Sequence, residues 1–209
     1  AHILHHTNQV ETHANSVREG KWEKCPDFCY TLGPVTELAG KTLGILGFGT
    51  IGRKTAEIAQ AFEMKILAHS RSLSKDSENV RAVGLYELLE SSDFLSLHCP
   101  LNDSTQQIIN RESLARMKRS SVLINTARGP LVDERALAEN LNGDGIAAAY
   151  LDVLSIEPPK PGNPLSQAKN CWITPHYAWA SFESRNRLIK IVCENLESFL
   201  KGNPKNQVA

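Results

Sequence analysis

Short apolar runs alternate with longer stretches in which apolar residues recur at helical spacing, and this alternation continues along most of the chain after residue 40. The short runs predict buried strands over residues 41–46, 65–69, 94–98, 121–125, 146–153 and 172–174. The longer stretches predict helices over residues 1–20, 54–62, 85–90, 112–117, 133–141 and 181–200.

This order of elements predicts the fold class. Because strands alternate with helices, neighbouring strands are expected to be parallel and joined by right-handed crossovers. The strands are rich in Ile, Leu, Val and Ala without polar alternation, so both faces of the sheet are expected to be covered. The pattern therefore predicts an α/β fold with a doubly wound parallel sheet.

A glycine-rich turn at residues 47–52, with the sequence Gly-Phe-Gly-Thr-Ile-Gly, stands between the first predicted strand and the next helix. This order of strand, G-x-G-x-x-G and helix is typical of dinucleotide-binding domains of the Rossmann fold. We expect Gly47 to permit the tight turn, Gly49 to let the backbone approach a pyrophosphate, and Gly52 to let helix and strand pack closely. An ordinary strand-to-helix turn is the alternative, and the flanking elements favour cofactor binding.

Polar residues lie at the carboxyl ends of several predicted strands, namely His98, Arg128, Asp152 and His176, and Glu157 lies in the loop after the fifth strand. Because the carboxyl ends of parallel strands meet at one edge of the sheet, the strand-end residues are expected at the ligand-binding edge. A guanidinium can hold a carboxylate through a planar fork, and an imidazole exchanges protons near neutral pH. Each residue alone is explained as well by a solvated loop. Together they predict a nucleotide site facing a proton-transfer site.

Composition narrows the class of protein. The 23 Lys and Arg balance the 23 Asp and Glu, and no basic tract or acidic tail is present, which argues against nucleic-acid binding and disorder. No apolar run reaches membrane-spanning length, and no signal-peptide pattern opens the chain. The five cysteines are odd in number and lack a finger spacing, so we expect reduced thiols in a cytoplasmic protein.

His2 and His6 stand at the i, i+4 spacing of one helix face. Neither an HExxH pattern nor a third well-placed ligand accompanies them. We therefore expect solvent-exposed histidines rather than ligands, and no metal site.

Taken together, the motifs resemble those of the D-2-hydroxyacid dehydrogenase family over nearly the whole chain. The resemblance rests on residues 47–52, His98-Cys99-Pro100-Leu101, residues 123–129, Asp152-Val153 with Glu157-Pro158, and Thr174-Pro175-His176. Residues 176–181 are most similar to the glycerate dehydrogenase and hydroxypyruvate reductase branch. The resemblance implies hydride transfer between NAD(P)H and a small 2-keto acid, such as hydroxypyruvate or glyoxylate, with the D-2-hydroxy acid as product.

The resemblance also implies roles for the motif residues. It implies that Arg128 anchors the substrate carboxylate, that His176 is the general acid and base, and that Glu157 orients the imidazole and stabilises its protonated form. It places Asp152 at the nicotinamide carboxamide, and His98 beside the adenosine, unless His98 simply ends a strand. The expected cofactor-binding residues are Gly47, Gly49, Thr50, Ile51, Gly52, Ser70, Arg71, His98, Cys99, Pro100, Thr126, Ala127 and Asp152.

Ser70 and Arg71 stand where this resemblance places an acidic residue, at the end of the second strand. A carboxylate there binds the ribose 2′-OH and repels a 2′-phosphate, whereas serine and arginine offer that phosphate a hydrogen bond and a positive charge. His69 and Arg81 are further candidates for the same contact. The sequence therefore favours NADP(H), with NAD(H) as the alternative.

The resemblance also implies a flavodoxin-like substrate domain, most of which this chain lacks. We expect residues 1–181 to form the dinucleotide-binding domain, with an interdomain helix at 1–20 and a candidate dimer arm at 20–40. Residues 182–209 are expected to form a helix that returns to the substrate domain. The chain is thus expected to be part of a longer polypeptide, nearly inactive alone, that forms a homodimer. The apolar candidates in the arm are Trp22, Phe28, Tyr30 and Leu32, and a loop folded on its own domain is the alternative.

Two other functions stay open. Another dehydrogenase of the family, acting on phosphoglycerate or phosphite, fits the same motifs. A non-catalytic nucleotide-sensing protein, similar to the family's corepressors, would share the scaffold, although an intact Arg128, Glu157 and His176 favour an enzyme. The expected ligand is a small 2-keto or 2-hydroxy acid, and neither a nucleic acid nor a membrane is expected as a partner.

Overall fold

The computed structural model describes residues 1–71, 73, 75–77 and 79–208. The chain forms two units, Ala1–Ile173 and Thr174–Ala209. In the first unit, the described residues form seven strands: β1 Thr42–Leu46, β2 Lys65–His69, β3 Val80–Ala82, β4 Phe94–Leu97, β5 Val122–Asn125, β6 Ala148–Leu151 and β7 Cys171–Ile173. The α-helices of this unit are α1 His2–Asn8, α2 Val10–Arg18, α3 Thr50–Ala61, α4 Leu85–Ser91, α5 Arg111–Arg116 and α6 Glu134–Asn142.

The strands form one sheet in the order β3-β2-β1-β4-β5-β6-β7, and every neighbouring pair is parallel. β1 pairs with β2 on one side and with β4 on the other, so the direction of winding reverses between β1 and β4. This confirms the predicted doubly wound sheet. Ligands of such sheets bind outside the carboxyl ends of the strands at the point of reversal.

Both faces of the sheet are covered, as the apolar strands predicted. On β1, Leu43 and Ile45 pack to one side and Leu46 to the other, and none is more than 3% exposed. Helices α4, α5 and α6 contribute to the apolar layer that contains Leu46, and α3 contributes to the layer that contains Ile45. The core thus holds the ends of β1 and β4 in fixed positions.

Helix α3 begins at Thr50, directly after Gly49 and earlier than the start predicted at residue 54. Ala56 and Ala59 are buried against the sheet, whereas Ile51 is 70% exposed. Small side chains on the buried face let α3 lie close to β1. As a result, the helix N-terminus stands directly at the end of the strand.

The helix predicted over residues 1–20 is interrupted. Gln9, with a left-handed φ of 46°, separates α1 from α2. The prediction of solvent-exposed histidines is wrong for α1: the rings of His2, His5 and His6 pack around the buried ring of Tyr150, at centroid distances of 5.4, 5.8 and 5.9 Å. Burial is the main cause of the lowered pKa of His2 and of His6. Across the described residues, no group of three His, Cys, Asp or Glu is arranged to hold a metal ion.

In the second unit, a loop that carries Thr174 and His176 leads into helix α7, Phe182–Leu200. Ser181 caps this helix by accepting a hydrogen bond from the Ser184 N–H at 3.1 Å. Every residue of α7 is described, and none of its side chains is buried. Its last residue, Leu200, is 75% exposed. Within the part of the chain that the structure describes, no helix is long and apolar enough to cross a bilayer.

Candidate functional site

Gly47 turns the chain sharply at the end of β1. Its φ is 99°, in the left-handed region that favours glycine, and its N–H donates to the His69 carbonyl at 2.8 Å. A Cβ built on Gly47 would lie 2.4 Å from the backbone nitrogen of Cys99. Glycine is therefore required both by the turn and by the close approach of the segment after β4.

Gly52 and Gly49 face different surroundings. A Cβ on Gly52 would lie 2.3 Å from the Gly47 carbonyl oxygen, which explains the close packing of α3 on the turn. A Cβ on Gly49 would meet no heavy atom within 4 Å. The space beside Gly49 is thus open, as expected for a position where a ligand approaches the backbone.

The N-terminus of α3 fits the pyrophosphate of a dinucleotide. Gly49 is the N-cap residue and supplies no side-chain cap. The first N–H groups of a helix have no partner within it, and the helix dipole favours negative charge at that end. These donors, with the open space beside Gly49, form a cradle suited to phosphate oxygens.

A cleft of about 570 Å³ lies beside the turn, at the carboxyl ends of β1 and β2. Ser70 and Arg71 line it, together with His69, whose Nδ1 lies 2.9 Å from the Val83 carbonyl oxygen. Arg71 is exposed. Arg81, a further candidate from the sequence, instead forms an ion pair with Glu87.

His98 and Cys99 lie at the end of β4, where Cys99 lines this cleft. The His98 Nε2 lies 2.9 Å from the Ser96 Oγ, and burial lowers the pKa of His98 to about 4. His98 is therefore neutral at neutral pH and offers a ring and a hydrogen bond rather than a charge. Burial also raises the pKa of the Cys99 thiol, which stays protonated.

A second cleft, of about 650 Å³, shares Cys99 and Pro100 with the first. Ile51, which belongs to the glycine-rich turn, lies on its wall, and Thr126, Ala127 and Arg128 line the part beyond β5. The predicted cofactor residues from the turn, from the β4 end and from the β5 end therefore border two adjoining clefts.

Asn125, at the end of β5, shapes the loop that carries Arg128. Its side chain is 1% exposed, accepts from the Ala127 N–H at 3.0 Å and donates to the Arg128 carbonyl at 2.9 Å. The Arg128 guanidinium is exposed, and its Nη1 donates to the Ala127 carbonyl at 2.7 Å. Sequence reasoning did not single out Asn125, although an amide at the end of an apolar strand was a signal available in Leu-Ile-Asn-Thr.

Glu157 lies in an exposed loop after β6. Its Oε1 accepts from the Leu154 N–H at 2.7 Å. Gly129, the residue after Arg128, packs on the same segment: a Cβ there would stand 2.0 Å from the Leu154 carbonyl carbon. The loops of Arg128 and Glu157 are therefore in direct backbone contact.

Asp152 is buried at the end of β6, 2% exposed, and its N–H donates to the Asn125 carbonyl at 2.9 Å. Its carboxylate acts on the His2 imidazole in the direction that raises the pKa, against the larger effect of burial. The structure thus places Asp152 at the same edge of the sheet as Asn125, where the sequence predicted it.

His176 belongs to the second unit, in the loop before α7. Its φ of 49° is left-handed, its N–H donates to the Thr174 carbonyl at 2.9 Å, and its own carbonyl accepts from the Trp179 Nε1 at 2.9 Å. A non-glycine residue in this region is uncommon and concentrates at functional loops. The imidazole is exposed.

The reversed sheet, the glycine turn and the adjoining clefts define a dinucleotide-binding domain. The chain belongs to the D-isomer specific 2-hydroxyacid dehydrogenases, because residues 1–178 match the NAD binding domain of that family.

Named relatives agree with this assignment. The chain is 50% identical over 209 residues to a hydroxypyruvate reductase of Blautia hydrogenotrophica, covering 99% of this chain and 63% of that protein. It is 45% identical over 201 residues to a glycerate dehydrogenase of Methylorubrum extorquens, covering 95% and 62%. The chain therefore spans a little under two thirds of these relatives.

A solved structure shows the same fold. The acyclic imino acid reductase Bsp5, in complex with NADPH and D-Arg, matches with a TM-score of 0.86 and 34% identity, over 99% of this chain and 64% of that one. The predicted Rossmann fold and the predicted family are thus confirmed.

Proposed function

We propose that this chain is the nucleotide-binding part of an NAD(P)-dependent reductase of small 2-keto acids, with hydroxypyruvate or glyoxylate as the substrate. The observation that carries the proposal is the position of Arg128, on the wall of a cleft that continues from the glycine turn. A cation placed there suits a carboxylate next to a bound nicotinamide. The names of the relatives, a hydroxypyruvate reductase and a glycerate dehydrogenase, support this substrate class.

When bound, the nicotinamide supplies the hydride for reduction of the keto carbon. Arg128 holds the substrate carboxylate through its planar fork and so fixes which face of the carbonyl is presented. Thr126 and Ala127 shape the wall beside it. Asp152 is the proposed acceptor for the carboxamide of the nicotinamide.

The proton for the carbonyl oxygen is proposed to come from His176, which takes it back in the oxidation direction. Glu157 stabilises the protonated imidazole and orients the ring. These roles rest on the sequence motifs and on the left-handed backbone of His176. Glu157→Gln should therefore weaken activity and move the acidic limb of the pH profile for oxidation, because it removes the partner of the protonated imidazole.

We propose NADP(H) as the preferred cofactor, with NAD(H) as the alternative. Ser70 and Arg71 line the cleft beside the turn, and no carboxylate occupies either position. A guanidinium there can contact a 2′-phosphate. Related solved structures include complexes with NADPH and with NAD, so the proposed preference rests on Ser70 and Arg71 alone.

We propose a homodimer formed through residues 20–40. Trp22 and Phe28 are 52% and 89% exposed, and the Trp22 Nε1 donates to the Phe28 carbonyl at 3.0 Å. Tyr30, in contrast, is held on α2 by a 2.6 Å hydrogen bond with Ser16. The segment is thus anchored to its own domain while it presents large apolar side chains, which is typical of an interaction surface.

The domain organisation is also part of the proposal. We take residues 1–181 as the nucleotide-binding domain and 182–209 as a helix that contacts a substrate domain outside these residues. The exposed apolar side chains of α7 support this arrangement. A cytoplasmic location is proposed because the structure describes all five cysteines and none of them forms a disulfide.

The proposal is tested in the complete polypeptide with a panel of 2-keto acids in the presence of NADPH or NADH, and with 3-phosphoglycerate and phosphite in the presence of NADP+ or NAD+. Hydroxypyruvate and glyoxylate should give the highest kcat/KM. Preferred turnover of 3-phosphoglycerate or phosphite would instead identify another dehydrogenase of the family. Cofactor binding without turnover of any of these compounds would identify a nucleotide-sensing protein.

A further inference from the structure

We infer that Glu134 is a positioning residue that fixes the Glu157 loop relative to the Arg128 loop. Glu134 is the first residue of α6. Its Oε1 accepts from the Ser155 N–H at 2.6 Å, and its Oε2 accepts from the Asn163 Nδ2 at 2.8 Å. One carboxylate thus holds the segment on both sides of Glu157.

Glu134 is also connected to Arg128, through the short chain segment between them. Between Arg128 and Glu134 the chain forms a 3-10 turn, Gly129–Leu131, in which Leu131 is fully buried. This segment has little freedom to move, so the two hydrogen bonds of Glu134 transmit the position of one loop to the other. The inference rests on the proposed function, because the position of Glu157 matters only if Glu157 acts in turnover.

The Asn163 side chain is itself fixed. Its Oδ1 accepts from the N–H of Leu165, which is 1% exposed, so its NH₂ group is the part that faces Glu134. Two donors, the Ser155 N–H and the Asn163 NH₂, therefore converge on residue 134. A carboxylate can accept from both, whereas an amide has only one acceptor oxygen.

Capping of α6 does not explain Glu134. Asp133 already caps this helix by accepting from the Ala136 N–H at 3.0 Å. Both carboxylate oxygens of Glu134 bond to the loop rather than to the helix.

The negative charge of Glu134 also acts on Cys171. Burial first, and then Glu134, raise the pKa of the Cys171 thiol to about 12, so the thiol adds no second negative charge.

A donor–acceptor exchange tests the inference in the complete polypeptide. Glu134→Gln keeps the acceptor for the Ser155 N–H but sets an NH₂ group against that of Asn163. Asn163→Asp sets two carboxylates against each other. The double variant restores one donor facing one acceptor and keeps the net charge. In Asn163→Asp and in the double variant, the Leu165 N–H keeps its partner, since a carboxylate oxygen at position 163 can still accept from it.

Two readouts are needed, turnover with its pH profile and amide exchange at Ser155. Each single variant should lower kcat, by up to about a hundredfold if the catalytic group moves by about 1 Å. Each should also shift the acidic limb of the pH profile for oxidation in the same direction as Glu157→Gln does. Hydrogen exchange of the Ser155 amide should become faster in each single variant. The double variant should recover all three properties, and the KM for the cofactor should stay unchanged throughout. Glu139→Gln, on the same helix but in an exposed ion pair with Arg111, is the matched control and should change none of them.

Failure of the double variant to recover activity, or unchanged Ser155 exchange in both single variants, would overturn the inference. The same holds if the single variants lose stability but keep the parent pH profile, since that describes a purely structural role. If a single variant fails to fold, the turnover and the Ser155 amide exchange of the double variant still test the inference. An unchanged profile in Glu157→Gln would overturn the proposed role of Glu157 and this inference together. A shift in Glu157→Gln without one in Glu134→Gln would overturn the inference alone.

Discussion

Gly129 lies so close to Leu154 that a Cβ on the glycine would stand 2.0 Å from both the carbonyl carbon and the carbonyl oxygen of Leu154. The glycine follows Arg128, and the Leu154 N–H donates to Glu157. The two proposed catalytic loops therefore meet at one backbone contact. Any side chain at residue 129 must separate them.

Gly129→Ala tests this contact. The extra methyl group should lower the unfolding free energy by about 1–3 kcal/mol, as overpacking does, and should lower kcat because the loops move apart. Thermal unfolding and steady-state kinetics of the complete polypeptide measure both effects. Gly84→Ala is the control, because a Cβ there meets no heavy atom within 4 Å. Equal behaviour of the two variants would show that the contact has no importance.

Gly49→Val tests the cofactor cradle separately from the fold. Since a Cβ at Gly49 has open space around it, the variant should fold, yet its branched side chain should block the pyrophosphate. Gly52→Ala should instead destabilise the protein, because its Cβ would lie 2.3 Å from the Gly47 carbonyl oxygen. Calorimetric titration with NADPH and NADH measures the affinity. Unchanged binding by a folded Gly49→Val protein would rule out the proposed cradle.

The sequence predicted the sheet well because its central strands are continuous apolar runs, and each is buried on both faces. β3 was missed, since it has only three residues and contains the exposed Arg81. The break at Gln9 was missed as well, because a left-handed residue inside an otherwise helical pattern leaves no signal in the spacing of apolar residues.

Local motifs located the candidate site, and long-range packing decided its details. The glycine turn could be interpreted residue by residue, and the structure gives Gly47 the predicted tight turn and Gly52 the predicted close packing. The bonds of Glu134 could not be predicted, since they join it to Ser155 and Asn163, which are distant in sequence and are brought near it only by the folded sheet. The partial burial of the α1 histidines depends in the same way on Tyr150, which is far away in sequence.

Arg71→Ala tests the cofactor preference. A charge-assisted contact contributes about 1.5–3 kcal/mol, so loss of the guanidinium should reduce kcat/KM for NADPH by roughly ten- to a hundredfold and leave NADH nearly unchanged. Exposure and salt should reduce the effect. Arg81→Ala removes a nearby charge that already pairs with Glu87, and it should alter neither cofactor. A wild-type preference for NADH, unaffected by Arg71→Ala, would exclude this residue from cofactor selection.

His98 should make stability depend on pH. Its pKa of about 4 in the folded protein lies below the ordinary value of 6.5, so the unfolded chain binds more protons between these values. The unfolding free energy should therefore fall as the pH drops from 6.5 towards 4, by at most about 3 kcal/mol from this residue. Urea unfolding at several pH values should show a weaker dependence in His98→Gln than in the wild type. The same slope in both proteins would contradict the assignment.

Reduction of hydroxypyruvate by the complete polypeptide, compared between wild type and His176→Ala, tests the central claim most directly. We predict a loss of turnover on the order of a hundredfold or more, the usual contribution of a positioned acid, with cofactor affinity retained. Equal turnover in the two proteins, or no reduction of 2-keto acids by a wild-type protein that binds NAD(P)H, would contradict it.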